Sequence, residues 1–257
     1  MTLDEELLLA HILGVDRAYL RAHDIKLTPA QQTQYNELLQ RLKNGEPLAY
    51  LIGKKEFWSM ELDVTPDTLI PRPDTETLVE TILQLIPNEP VNVADLGTGS
   101  GAIALALAHE RPKWQIFATD ISESALNIAR KNAQRFSLMN ISFHLGNWCT
   151  ALPCKEFTII AANPPYISET EWEVYGEGLR YEPRRALVAE SDGMAALAKI
   201  AEQSNAYLLP GGYLVMEHGF MQGEAARAVL ALNGYTNIQT VTDLSTNERL
   251  SYGQKSD

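Results

Sequence analysis

The sequence predicts an α/β fold: an open, mostly parallel sheet of seven strands with helices on both faces, preceded by a small all-helical domain. Three observations predict it. From Val91 onward, short β-branched or alternating runs take turns with helical patterns. A glycine-rich turn, Gly97-Thr98-Gly99-Ser100-Gly101, joins the first of these strands to its helix. Up to about Gly53 the apolar spacing is helical throughout.

Leu7, Leu8, Ile12 and Leu13 share one helical face, and Thr28-Pro29 supplies a cap and a first-turn proline for a helix carrying Tyr35, Leu38, Leu39 and Leu42. Residues 57–64 alternate apolar with polar and read as a short strand or half of a hairpin. Pro71 and Pro73 hold Arg72 outward, either as a solvated charge or as a contact at the mouth of a site. Asp74 stands where it can cap the helix carrying Leu78, Val79, Ile82, Leu85 and Ile86. The predicted boundaries are a helical domain over 1–53, a linker or β-hairpin over 54–73 and the sheet domain over 74–257.

Four strands are expected at 91–96, 115–119, 141–145 and 157–162. The polar stretch 168–185, with Trp172, Tyr175 and Tyr181, reads as a substrate-recognition loop or a disordered linker. A helix over 193–209, a strand over 212–217 and a helix over 222–232 follow, and 238–241 with 249–252 read as paired edge strands.

Composition narrows the function. Among 257 residues, 21 Lys and Arg face 33 Asp and Glu, and the net charge of −12 argues against a general phosphate-binding surface and so against long nucleic acid. Cys149 and Cys154 have no partners at zinc spacing, so no metal is expected. The first residues, MTLDEELLLA, lack a basic segment and a sustained apolar block, and no later run is long enough to span a membrane. A cytoplasmic monomer is expected.

Four motifs fall at the carboxyl ends of the predicted strands, where open α/β sheets bind ligands. The glycine turn lets backbone pass close beneath a ligand, and its G-x-G-x-G spacing departs from that of pyrophosphate binders, favouring a nucleoside. Asp120 ends the second strand, where an acidic residue accepts both ribose hydroxyls; helix capping is its alternative role, one that Ser122 fills equally well. Asn147 and Trp148 follow the third strand and suit the edge and face of an adenine ring, although a tryptophan is as readily a core residue. The run Phe157-Thr158-Ile159-Ile160-Ala161-Ala162 then stops at Asn163-Pro164-Pro165-Tyr166. There an amide carbonyl and the carbonyl of Pro164 can each accept one hydrogen of a planar NH2, beside an aromatic ring. An ordinary Asn-Pro turn is the alternative.

Together with 95–101, Asp120 and 163–166, the segments IPRPDTE (70–76), ALVAESDGM (186–194), EHGFMQGEAAR (217–227) and NERL (247–250) resemble the bacterial peptide chain release factor N5-glutamine methyltransferases across almost the whole chain. The resemblance implies a Rossmann-like class I methyltransferase domain and an N-terminal substrate-recognition domain. It implies S-adenosyl-L-methionine as cofactor, S-adenosyl-L-homocysteine as product, and a release factor glutamine as acceptor. Gly97, Thr98, Gly99, Ser100 and Gly101 would line the methionine part, Asp120 the ribose, and Trp148 with Asn147 the adenine side. Asn163 and Pro164 would hold the target amide, with Pro165 and Tyr166 shaping the slot. Against the family pattern the helical module starts late, as if its first helix were missing.

The histidines, His11, His23, His109, His144 and His218, are scattered, and none adjoins the tetrapeptide. Catalysis is therefore expected from alignment and water exclusion, with proton loss after methyl transfer. Alternatives are a ribosomal protein glutamine methyltransferase, whose family usually carries cysteine at the position of Gly97, and a DNA or RNA exocyclic-amino methyltransferase, which needs base flipping. A nicotinamide dehydrogenase or a non-catalytic cofactor-binding module fits less well, given the glycine spacing and the intact Asn-Pro-Pro-Tyr.

Overall fold

The computed structural model describes residues 1–256. They divide into two compact units, Met1–Lys54 and a second beginning at Lys55. The first is helical, with α1 (Leu3–Leu13), α2 (Arg17–Ala22), α3 (Pro29–Lys43) and α4 (Leu48–Ile52). Thr2 and Thr28 each form a capping box, Glu5 and Gln31 returning a bond to the cap's own amide. Thr28-Pro29 therefore starts a helix as its sequence predicts. Within this unit α1 packs on α3 and α4. Glu6 of α1 pairs with Arg17 and Arg21 of α2 at 2.9 and 3.0 Å.

A hairpin of β1 (Lys54–Phe57) and β2 (Met60–Asp63) comes next. Its turn residues, Trp58 and Ser59, have φ of +52° and +57°, the left-handed geometry of a two-residue hairpin loop. The alternating run over 57–64 is thus a strand end, a turn and a second strand. Trp58 and Ser59 are not residues that advertise such a turn, so the sequence reads as a short strand or half of a hairpin without placing the turn inside the run.

A short 3-10 turn, Pro73–Thr75, leads into α5 (Glu76–Leu85). Asp74 does not cap this helix. It pairs with Arg249 at 3.1 Å, and Thr75 occupies the cap position without a side-chain capping bond.

Strand and helix then alternate through β3 (Asn92–Leu96), α6 (Ala102–Glu110), β4 (Gln115–Asp120), α7 (Glu123–Arg135), β5 (Ile141–Leu145) and β6 (Phe157–Ala162). After them come α8 (Glu169–Tyr175), α9 (Ala195–Ser204), β7 (Leu208–Glu217), α10 (Gly223–Leu232), β8 (Tyr235–Thr242) and β9 (Glu248–Lys255). The seven-stranded sheet runs β5-β4-β3-β6-β7-β9-β8. Its first five strands are mutually parallel, and β9 lies antiparallel between β7 and β8. The tail strands pair as expected, but only β8 is an edge. β9 is interior, with Leu250 and Ser251 fully buried.

Helix α6 is buried on every side from Ala102 to Ala108, which explains its lack of a polar face. It packs with α5, the hairpin and one face of the sheet, around Phe57, Leu78 and Trp114. On the other face Phe157, Leu197, Ile200 and Leu230 form a second cluster. The strand order reverses where β6 pairs with β3. A crevice at the carboxyl ends of β3, β4 and β6 follows from that reversal.

The stretch 168–185 is folded. Ser168 starts α8 with a capping box closed by Glu171, and 3-10 turns cover Gly176–Leu179 and Arg184–Ala186. Helix α8 buries none of its side chains, so its sequence carries no apolar period to reveal it.

Candidate active site

Strand β3 ends at Leu96, and the next backbone turns sharply: the amides of Gly97 and Thr98 both donate to the Thr119 carbonyl of β4, at 2.8 and 2.9 Å. Gly97 and Gly99 have φ of +75° and +58°, accessible to glycine without steric cost. A Cβ at Gly97 would press on the Trp148 ring at 3.0 Å, whereas one at Gly99 would meet no atom within 4 Å. The backbone at Gly99 thus faces open space. That space is a cavity of about 750 Å³ lined by Gly97, Gly99, Asp120, Asn147, Trp148, Asn163 and Pro165.

Asp120 ends β4 with one carboxylate oxygen accepting the Gly99 amide and the other the Ser122 amide, both at 2.9 Å. Each oxygen keeps a further lone pair for a hydroxyl. Ser122 caps α7, its hydroxyl accepting from the Ala125 amide, so Asp120 is not that helix's cap.

The glycine turn is braced from below. Asp95 is fully buried, and its Oδ2 accepts the Thr98 hydroxyl at 2.6 Å and the Ala104 amide at 3.2 Å. Its Oδ1 has no partner among the described residues. Burial pushes the carboxyl up to about 7, against the pull of the Thr98 hydrogen bond. Asn132 of α7 donates to the Ser100 carbonyl at 2.9 Å and exchanges hydrogen bonds with the backbone of Asp63 at 2.8 and 3.0 Å. The hairpin and the glycine turn are therefore fixed to one buried amide.

Asn163 follows β6 and projects into the cavity's wall. Its Nδ2 donates to the Thr75 hydroxyl at 3.0 Å. Thr75 donates to Glu217 Oε2 at 2.7 Å, and the Tyr166 hydroxyl donates to Glu217 Oε1 at 3.3 Å. Glu217 ends β7 and is 1 % exposed. Burial raises its carboxyl to about 7, the Thr75 bond, Arg249 and Tyr166 opposing. The Tyr166 hydroxyl is likewise pushed up by burial and by the neighbouring Glu217.

The tetrapeptide is clamped from its backbone as well. Gln222 Nε2 donates to the Tyr166 carbonyl at 2.9 Å while its Oε1 accepts the Gly219 amide at 2.9 Å. Gly193, with φ of +80°, passes so close that a Cβ there would lie 2.1 Å from the Tyr166 oxygen.

Of the predicted residues, Gly97, Gly99, Asp120, Trp148, Asn163 and Pro165 line one cavity. Thr98, Ser100 and Gly101 do not. Thr98 and Ser100 are 6 and 2 % exposed, and a Cβ at Gly101 would strike Leu105 at 2.8 Å, so these three support the turn. Pro164 is buried and Tyr166 half-buried behind the wall. Arg72 ties inward, pairing with Glu182, whose other oxygen accepts the Ile70 amide at 3.1 Å.

Three residues given no role by the sequence reading belong to the site. Arg185 lines the cavity and donates to Ser122 Oγ at 2.8 Å. Thr75 and Glu217 lie 142 positions apart. Their only sequence signal is membership of the IPRPDTE and EHG segments.

Among the described residues there is no cluster of His, Cys, Asp and Glu suited to a metal, and no helix is long and apolar enough to cross a membrane. A cavity with a backbone cradle at Gly99, a paired carboxylate at Asp120 and an aromatic wall at Trp148 fits an adenosyl ligand.

Residues 87–253 match a family described as methyltransferase domain, and residues 2–53 match the PrmC N-terminal domain. A solved methyltransferase from Pyrococcus furiosus superposes with a TM-score of 0.59 at 18% identity, covering 86% of this chain and 99% of that one, a likeness of fold. Fold and domain match define a class I methyltransferase, a class that implies S-adenosyl-L-methionine-dependent catalysis. The release factor glutamine methyltransferase of Escherichia coli (strain K12) is 46% identical over 252 residues, 98% of this chain and 91% of that protein. That of Coxiella burnetii (strain RSA 493 / Nine Mile phase I) is 46% identical over 255 residues, with the same shares. The chain belongs to the release factor glutamine methyltransferase family.

Proposed function

We propose that this protein transfers a methyl group from S-adenosyl-L-methionine to the side-chain amide nitrogen of the glutamine in the Gly-Gly-Gln loop of peptide chain release factors. The observation that carries this reading is the meeting of Asn163 with Gly97, Gly99, Asp120 and Trp148 around one cavity. An amide-recognising corner and a nucleoside site there share one space.

The cofactor supplies an electrophilic methyl on a sulfonium. Gly97 and Gly99 border its methionine part, Asp120 accepts its ribose hydroxyls, and Trp148 with Asn147 flanks its adenine. Thr98, Ser100 and Gly101 act by holding the turn. An amide nitrogen is a poor nucleophile because its lone pair is delocalised, so the protein's task is to fix it in line and dry. Asn163 Oδ1 and the Pro164 carbonyl each accept one hydrogen of the acceptor NH2. Pro165 and Tyr166 form the slot around it. The helical domain over residues 1–53 serves recognition of the protein substrate.

The test is mass spectrometry of purified release factors after incubation with the enzyme and isotopically labelled cofactor. One added methyl on the Gly-Gly-Gln peptide is expected. Label found instead on a ribosomal protein glutamine or on nucleic acid overturns the reading.

A further inference from the structure

The orientation of Asn163 decides whether its amide can do the work assigned to it. Its carbonyl oxygen must face the acceptor NH2, because a donor meeting a donor repels it. Turned over, the same side chain would block the slot.

Asn163 has no intrinsic preference between its two faces. The preference comes from behind. A carboxylate only accepts hydrogen bonds, whereas a threonine hydroxyl has one hydrogen to give. At 2.7 Å from Glu217 Oε2, the Thr75 hydroxyl gives that hydrogen to the carboxylate. It is then left only as an acceptor toward Asn163, 3.0 Å away. A chain of three groups thereby carries one direction from a buried charge to the cleft.

We propose that Thr75 and Glu217 are positioning residues, which act through Asn163 by forcing its amide nitrogen backward and its carbonyl oxygen into the cleft. This rests on the reading of Asn163 as the acceptor's anchor. Glu217 serves a second partner in the same way: Tyr166 donates to its other oxygen, so the ionised carboxylate orients both the anchor and the slot. Protonated, Glu217 carries an O–H on one oxygen, and that oxygen then donates to the hydroxyl it faces, so the one-way order of the bonds is lost on that side.

The groups facing Glu217 bear on its charge from every side. Arg249 of β9 favours the ionised form and Asp74 of the turn before α5 opposes it. The adjacent His218 is buried and held neutral, its Nδ1 donating to the Gly219 carbonyl and its Nε2 bonded to Ser251. Arg72 acts on the neighbouring Tyr166 hydroxyl, pulling against its upward shift. The balance leaves Glu217 titrating at about 7 without cofactor.

The test compares Thr75→Val, Thr75→Ser and Glu217→Gln with wild type in the full chain. Thr75→Val keeps the shape and removes the hydroxyl. Its kcat for release factor methylation is expected to fall by about ten- to a hundredfold, with cofactor affinity unchanged by calorimetry, and Thr75→Ser is expected to restore most of it. Glu217→Gln, fixed as one donor and one acceptor, is expected to give a low kcat without the acid limb expected of wild type.

A second readout needs no turnover. With 15N-asparagine labelling, the Asn163 side-chain amide signal should titrate near neutral pH in the cofactor-free protein and stay still in Glu217→Gln. A folded Thr75→Val with wild-type kcat, a Thr75→Ser as impaired as Thr75→Val, or an Asn163 signal indifferent to pH in wild type would each overturn the proposal. Wild type that leaves release factors unmethylated, with the signal still titrating, would refute the acceptor and spare the relay.

Discussion

The carboxylate of Asp120 accepts the Gly99 amide at 2.9 Å, across the 21 residues that separate the end of β4 from the glycine turn after β3. One residue thus fastens the turn and faces the cavity. Replacing Asp120 by Ala removes that bond and the proposed ribose acceptor together. Cofactor dissociation should rise by about ten- to a hundredfold, as expected for hydrogen bonds to a charged group, measured by titration calorimetry. Unchanged affinity would remove Asp120 from the ribose role.

Gly193 has φ of +80° and would place a Cβ 2.1 Å from the Tyr166 carbonyl oxygen. The obstacle is backbone, so no side-chain rotation relieves it. Gly193→Ala should destabilise the fold by about 2 to 4 kcal/mol, read by thermal or urea unfolding. It should also lower kcat, because Tyr166 sits in the displaced segment. A variant as stable as wild type would contradict the close approach.

Stability should depend on pH through the two buried carboxyls. Glu217 and Asp95 both titrate at about 7 in the folded chain, against 4.5 and 3.8 as ordinary values. Between the two limits the folded form holds a proton that the unfolded form has released. The stability this contributes is present below the unfolded pKa and lost as pH rises to about 7. His218, held neutral by burial, has the opposite slope below its ordinary value. The Glu217 contribution is isolated by comparing wild type with Glu217→Gln: wild type should lose on the order of 3 kcal/mol relative to the variant between about pH 4.5 and 7. A constant difference across that range would contradict the buried, raised carboxyl.

Asn132 joins the Asp63 backbone to the Ser100 carbonyl from a fully buried position. Asn132→Ala leaves those backbone groups without partners and should cost about 2 to 4 kcal/mol. Unfolding curves with wild-type midpoint would show that water replaces the amide there.

Much of this was legible in the chain because it is written locally. The strand-to-helix turn at 97–101, the acidic residue at the next strand end and the Asn-Pro-Pro stop after β6 each combine a residue type with a position in the α/β repeat. The same holds for Thr28-Pro29, where cap and first-turn proline adjoin. What stayed hidden depends on long-range pairing. Asp74 reads as a cap until Arg249 is brought beside it. Thr75 acquires a role only when β7 carries Glu217 beneath it. Helix α8 leaves no apolar period to read because none of its side chains is fully buried, and β9 reads as an edge because antiparallel insertion is decided by the sheet as a whole.

The central claim, that Asn163 anchors the acceptor amide beside the cofactor, is tested most directly by single-turnover methyl transfer in Asn163→Ala with cofactor already bound. Release factor methylation should be abolished, to about a thousandth of wild type or less, while calorimetry shows cofactor bound as before. Substantial transfer from that loaded variant would contradict it.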